Sequence, residues 1–469
     1  MINRFLSAKI KEYFPHELTL QQGELVELLS NFIVSKAEYV FLLKGFAGTG
    51  KTSIISALIK AMNELQQPVM LMAPTGRAAK VLSSYSGKNA FTIHKKIYRQ
   101  QVGGELYGMF NLNVNLHKHT LFIVDEASMI SNSESETHFG SGRLLDDLME
   151  YVYGGDGCRL ILIGDTAQLP PVGQVLSPAL DKSQLECYGF PVEQFTLTEV
   201  VRQAEKSGIL HNATYLRNLL EEGFSGAFPK VTVDFPDMKK VSGEDLIETI
   251  SSAYGRDGVG ETIIISRSNK RANVFNNGIR NRVLYREEEL SSGDLLMVVK
   301  NNYFWAKMSK ELDFIANGDI VEVRRVQKKQ ELYGFRFADV TLFFPDYEIE
   351  MDVKILLDTL QSDSPSLTYE ENNRLYQAIQ EDYADIGNKR TRMMKMREDP
   401  YLNALQVKFG YAVTGHKAQG GQWKNVFIDQ GYLTTEMVNK EYLRWLYTAF
   451  TRATDRLYLV NWRESDSKK

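Results

Sequence analysis

Cysteine is nearly absent from this sequence: Cys158 and Cys187 are the two in 469 residues. They have neither metal-ligand spacing nor the partners of a disulfide framework, which fits a reducing cytoplasm. Long apolar runs are absent too. The opening stretch MINRFLSAKIKEYF lacks the apolar core of a secretory signal. No run approaches the roughly 20 residues that cross a bilayer, so no membrane is expected as a partner. Internal repeats and low-complexity tracts are missing as well. Nor is there an excess of positive charge, since 55 Lys and Arg face 59 Asp and Glu for a net −4. That excludes a surface coated in basic residues but leaves nucleic acid open, because affinity depends on the few cations that meet phosphates.

What is there reads as a soluble globular chain, 43% hydrophobic and 24% charged. Its length exceeds one ordinary core and predicts two to four domains. The most informative stretch is FLLKGFAGTGKTS, residues 41–53. An apolar run, Tyr39 to Leu43, feeds a glycine-rich turn that opens a helix-patterned stretch at Lys51. Gly45, Gly50, Lys51 and Thr52 stand at the fixed places of the phosphate-binding loop pattern. Gly48 adds further freedom, so that backbone N–H groups from Ala47 to Ser53, Thr49 included, can curl round phosphates at a helix N-terminus. Lys51 is placed to reach the β- and γ-phosphates and the Thr52 hydroxyl to hold Mg²⁺. The chain is expected to bind a nucleoside triphosphate.

Around this loop the chain alternates strand and helix patterns, as a doubly wound parallel α/β sheet requires. Upstream, Thr19 fits an N-cap, and Gln22 fits either that capped helix or an amide turned towards an adenine edge. Downstream, the strand Val69 to Met72 ends in Pro74, Thr75 and Arg77. These suit a phosphate backbone, or simply a helix start with surface charge. Thr92 and His94 follow. Tyr98–Gln101 and Leu106–Leu112 then read as a hairpin about a two-residue turn at Gly103-Gly104. The strand Leu121 to Val124 delivers Asp125 and Glu126. The first carboxylate suits Mg²⁺ through water, and the second suits an attacking water. After the strand Arg159 to Ile163, Asp165 and Gln168 stand where a γ-phosphate sensor would be useful.

Residues 224–257 read as an irregular connection. A new strand–helix unit, Thr262 to Arg280, starts a second α/β half with no phosphate loop of its own. From about Ser291 to Pro400 the pattern predicts an insertion, first a small β-barrel and then polar helix. The second sheet is expected to resume at Gln406.

The ordered series GFAGTGKTS, APTGRAAK, TIH, VDEAS, GDTAQLPPVG, EVVRQ, VTGHKAQGGQW and YTAFTRA resembles the superfamily-one DNA helicases, within them the RecD-like, Dda-like group. The resemblance implies two RecA-like domains, 1–200 and 201–290 with 401–469, an SH3-like barrel insertion in 291–400 and a short hairpin insertion at about 98–118. It implies ATP and Mg²⁺ between the domains, with Gln22 at adenine. Lys51, Glu126, Gln168, Arg202 and Arg452 would be catalytic, the two arginines as fingers, and Thr52 and Asp125 would serve the metal. Gln422 stands where many relatives carry an acid near the ribose. Val201 stands where another branch stacks an aromatic on the base.

Single-stranded DNA would run over Pro74, Thr75, Arg77, Thr92, His94, Thr414, His416 and Lys417. Phe110 or Tyr107 would stack on the base pair at a strand-splitting pin. The activity implied is ATP-driven, 5′-to-3′ translocation on single-stranded DNA and unwinding of forked or tailed duplexes by a monomer, in replication, recombination or repair. A nucleotide-switched DNA clamp and an RNA helicase are the rival readings.

Overall fold

A computed structural model describes residues 2–35, 39–100, 110–133, 139–200, 207–224, 226–309, 312 and 314–462. The first half is built on a six-stranded sheet, in the order Ala90–Thr92, Val69–Ala73, Leu121–Val124, Arg159–Gly164, Val40–Gly45, Val192–Leu197. Every pairing in it is parallel. Val40, Phe41, Leu42 and Leu43 are all fully buried, so the strand shows no polar alternation because helices cover both of its faces. On one face lie Ile2–Tyr13, Leu20–Val34 and the loop helix Lys51–Glu64, and on the other lies Leu144–Tyr153. Thr19 begins Leu20–Val34 with a full capping box.

The second half is a five-stranded parallel sheet ordered Ala412–Thr414, Thr262–Ser266, Trp423–Asp429, Ala453–Val460, Met238–Val241. Its last strand corrects one expectation. The stretch 224–257 is not merely a connection, since it holds Met238–Val241 and the helix Leu246–Asp257. The strand was illegible because it is four residues long and exposes Lys239 and Lys240. Such charges are tolerated on an edge strand.

The insertion is a closed barrel of Leu295–Val298, Ile320–Leu332, Phe335–Phe344, Ile349–Leu356 and Leu405–Phe409, followed in the chain, before its last strand, by the polar helices Tyr369–Asp382 and Lys389–Arg397. Here too the sequence reading needs correcting. Leu405–Phe409 closes the barrel against Leu295–Val298, and only Ala412–Thr414 returns to the second sheet. The two strands are buried almost throughout and adjacent in sequence, so period alone does not divide them.

The hairpin pairs Tyr98 with Leu112 and Gln100 with Phe110. A two-residue turn at positions 103–104 would instead pair Gln100 with Tyr107. The turn itself and Tyr107 lie outside the described residues.

The barrel is fastened to the second sheet by one buried carboxylate. Asp294, with no exposed surface, accepts two bonds of 3.0 Å from the Arg280 guanidinium and one of 2.7 Å from Arg286. It also accepts the Tyr411 hydroxyl at 2.9 Å and the Ser291 N–H at 2.8 Å. Arg280 comes from the helix Asn269–Arg282 and Tyr411 from the chain returning out of the barrel. Removing one member of such a buried set strands charges out of water, at a cost of roughly 3–5 kcal/mol. Asp294→Ala is expected to lower the unfolding free energy in urea by about that amount, with Asp294→Asn losing less. A loss below about 1 kcal/mol for the alanine variant would show that the joint does not depend on this carboxylate.

Candidate functional site

Two cavities lie where the halves meet, and the same short segments build both. The first is a cleft of about 430 Å³ at the carboxyl ends of the first sheet, where ligands of open α/β sheets bind. Gly48 and Gly50 turn the loop with φ of +77° and +84°, which a side chain would resist. A Cβ at Gly45 would lie 2.8 Å from the Lys51 side chain. Lys51 Nζ donates to the Gly45 and Phe46 carbonyls at 2.6 and 2.8 Å. Burial lowers its pKa, while the carboxylates of Asp165, Asp125 and Glu126 act to raise it. Ala47, Thr52 and Gln422 line the cleft. Thr49 does not, because its buried hydroxyl donates to the Phe46 carbonyl. Ser53 is the third residue of the helix.

The strand Leu121–Val124 brings Asp125 and Glu126 into the cleft. Glu126 adopts φ +53°, a conformation that costs a non-glycine residue of order 1–3 kcal/mol. Its N–H donates to Asp125 Oδ1 at 2.8 Å. Burial and the neighbouring Glu126 charge raise the pKa of Asp125. Facing them from the second half, Arg452 is 4% exposed, and its Nη1 stands 3.6 Å from Glu126 Oε1. Backbone carbonyls of Thr448 and Gly421 hold its guanidinium in place. Gln168 is buried in the cleft wall, and its Oε1 has no partner among the described residues.

Two tyrosines were missed by sequence reasoning. Tyr85 donates to Asp125 Oδ2 at 2.6 Å. Tyr447 donates to Asp165 Oδ2 at 2.6 Å and accepts the Ala47 N–H at 2.9 Å, joining the second half to the phosphate loop. Burial raises the pKa of both hydroxyls, the adjacent carboxylates adding to it. Tyr447 lies inside the YTAFTRA string, but nothing in its spacing says that the hydroxyl reaches back across the cleft. Tyr85 belongs to no motif.

The second cavity, also of about 430 Å³, is a channel between the two sheets and the barrel. Pro74, Thr75, Arg77, Thr92, His94, His416 and Lys417 all line it. Thr75 and Thr92 also cap the helices that follow them. The Arg77 guanidinium lies 3.9 Å from the centre of the Trp423 ring and donates to the Gln422 carbonyl at 3.1 Å. The Lys417 pKa is pushed down to about 8 by burial, with the Lys408 charge adding to it.

Three further expected positions differ. Phe110 is 6% exposed, packed between Phe139 and Tyr303 with ring centres 5.0 and 4.5 Å away. A ring so covered is not free to stack on a base pair. Gln22 is 1% exposed. Its Nε2 donates to the Thr49 carbonyl and its Oε1 accepts the Thr19 N–H, both at 3.0 Å, so the amide braces the loop rather than facing an adenine. Thr414 lines a small neighbouring cavity instead of the channel. Arg202 and Val201 lie outside the described residues.

Residues 18–222 match the family model described as an AAA domain, and residues 409–460 match that of the UvrD-like helicase C-terminal domain. The chain is similar to the ATP-dependent RecD2 DNA helicase of Deinococcus radiodurans, 24% identical over 89% of this chain and 46% of the relative. It is also similar to the ATP-dependent DNA helicase dda of Enterobacteria phage T4, 26% identical over 60% of this chain and 61% of the relative. The chain thus spans about half the length of the first and three fifths of the second. A crystal structure of Pif1 helicase from Bacteroides with ADP-AlF3 and ssDNA aligns over 95% of this chain and 93% of that one, at 16% identity and a TM-score of 0.47. Both family models are matched in order, and the motifs between them are gathered round one cleft and one channel, so the chain is similar in sequence to ATP-dependent DNA helicases of the RecD2 and dda kind.

Proposed function

We propose that this protein is an ATP-dependent DNA helicase that travels 5′-to-3′ on single-stranded DNA and opens duplexes ahead of it. One observation carries the reading: short segments line the cleft with one end and the channel with the other. Asp165 and Gln168 face the cleft while Pro171 and Val172 face the channel, and Gly420 and Gln422 face the cleft while Gln419 and Lys417 face the channel. A change in the phosphate at one end is thereby a change in the grip at the other.

In the cleft, Lys51 exchanges its two loop carbonyls for the β- and γ-phosphates of ATP. Glu126 takes the proton of the attacking water, and the free Gln168 Oε1 orients that water. Arg452 stabilises charge on the transferred phosphoryl group only when the halves close, which ties hydrolysis to motion. Arg202 is assigned the same role from its motif position. The Thr52 hydroxyl and the Asp125 carboxylate are hard oxygen donors that fit Mg²⁺, which when bound would neutralise phosphate charge. In the channel, Arg77, His94, His416 and Lys417 meet the strand, the cations through its phosphates. The polarity follows the RecD-like, Dda-like resemblance.

Arg452→Ala is expected to lower the DNA-stimulated kcat by about 10³-fold with little change in nucleotide affinity, and Arg452→Lys to rescue it poorly. Glu126→Gln should bind nucleotide without turnover. Near-normal kcat in Arg452→Ala would remove the finger assignment.

Because Lys417 in the free protein loses its proton as pH rises through about 8, a phosphate contact made by its ammonium is present below that pH and weakens above it. Affinity for oligo-dT measured from pH 7 to 9 should fall, and Lys417→Gln should flatten the fall. Parallel profiles for the two proteins would rule out this contact.

On paired partial duplexes, displacement is expected from the 5′-tailed substrate and not from the 3′-tailed one, with Lys51→Ala as the inactive control. Preference for the 3′ tail would reverse the polarity. ATPase with no unwinding of either would favour the clamp, and a preference for poly-U over poly-dT an RNA helicase.

A further inference from the structure

The barrel insertion carries a concentration of positive charge that neither the cleft nor the channel uses. Lys389, Arg390, Arg392, Lys395 and Arg397 fall within the nine-residue helix Lys389–Arg397, which holds no acid, in a chain of net charge −4. Lys389, Arg390 and Lys395 are exposed, and these three with Arg392 form no ion pair among the described residues. The helix is held by one face through buried Met396. Of the acids nearby, Asp382 accepts the Tyr333 hydroxyl and Asp399 accepts that of Tyr383 at 3.0 Å, while Asp385 before the helix and Glu398 at its C-cap are exposed and leave the patch a net positive charge.

The helix is fixed to the channel mouth. Asn403 Nδ2 donates to the Arg397 carbonyl at 2.8 Å, and the Asn403 carbonyl accepts from Asn302 Nδ2 and Trp305 Nε1, each at 2.8 Å. Between the helix end and the loop 300–308 lies a pocket of about 210 Å³ with Lys300, Lys307 and Arg397 in its walls. Asn301 lines both that pocket and the channel. Tyr303, also in the pocket wall, has its ring centre 4.5 Å from that of Phe110 at the base of the hairpin. The basic surface therefore begins where channel and hairpin meet.

Resting on the DNA helicase reading, we infer that this surface holds the phosphate backbone of duplex DNA at the junction. Grooves for single strands combine cations with aromatic platforms on which bases stack, and the helix KRTRMMKMR offers none. Its length of about 13 Å matches about four base-pair rises of 3.4 Å. The contact is to backbone and carries no sequence preference.

The test is a triple variant, Arg390→Gln, Arg392→Gln and Lys395→Gln, with an Arg390→Lys, Arg392→Lys control that keeps the charge. Binding of a tailed duplex and of its single-stranded tail alone is followed between 50 and 200 mM salt. Each phosphate contact contributes about 0.9 to the slope of log affinity against log salt. The triple variant should lose about 2 to 3 of that slope on the tailed duplex, while tail-only binding and tail-stimulated ATPase stay at the parent level. The lysine control should keep the parent slope. Equal losses on duplex and tail, or no loss on either, would overturn the assignment and leave a solvated helix. Failure of the parent protein to bind the tail at all would instead sink the helicase reading beneath it.

Discussion

The peptide at Leu169 is where the two halves of the molecule are held together. Its N–H donates to the Thr448 hydroxyl at 2.9 Å, and its carbonyl accepts the Gln419 amide at 2.6 Å. Four residues earlier in the same loop, Asp165 takes the Tyr447 hydroxyl, which also receives the Ala47 N–H. Thr448 and Tyr447 belong to the helix Lys440–Phe450, and Gln419 to the loop before the strand Trp423–Asp429. These groups are buried, so each is bonded across the boundary or pays the desolvation of an unpaired polar atom. The second half is therefore tied to the phosphate loop through buried hydrogen bonds.

Electrostatics in the cleft follow from that closeness. Lys51, Asp125, Glu126, Asp165 and Arg452 share one enclosed volume. Burial pushes Lys51 towards its neutral form and the two aspartates towards theirs, while opposite charges on facing elements resist the shift. Such opposition is frequent where a site must bind and release charge. Glu126 sits in a left-handed backbone, and Gln168 Oε1 has no partner among the described residues. Both line the cleft.

Two of the joints that hold the barrel differ in chemistry. Asp294 with Arg280, Arg286 and Tyr411 makes a buried polar joint to the second sheet. Tyr303 and Phe314 of the insertion pack with His94, Phe110 and Phe139 of the first half. The polar joint is directional and fixes orientation. The aromatic cluster is held by ring contacts of 4.5 to 6.4 Å between centres. Lys80 and Asp346 add one ion pair of 2.7 Å between first half and barrel, exposed enough to contribute little.

The phosphate loop, the acid pair at the end of Leu121–Val124, the strand–helix alternation and the existence of a barrel were legible because each is a local pattern: fixed spacing, period or composition. The roles proposed for Lys51, Thr52 and Asp125 rest on residue type at those places. Phe110 and Leu405–Phe409 were misread, and Gln22 was left open between cap and adenine, for a shared reason. An aromatic beside a hairpin, an amide near a phosphate loop and a strand-like run each have two uses, and neighbours distant in sequence choose between them. Phe139 and Tyr303 cover Phe110, the Thr49 carbonyl takes the Gln22 amide, and Leu295–Val298 draws Leu405–Phe409 into the barrel. The sequence by itself determined which elements form and which chemistry the loop carries, because those depend on contacts within about a dozen residues. Only the tertiary structure decided that Tyr447 meets Asp165 and that Arg452 faces Glu126. Those pairs are separated by 282 and 326 positions, and no local rule of spacing reaches across the fold that brings them together.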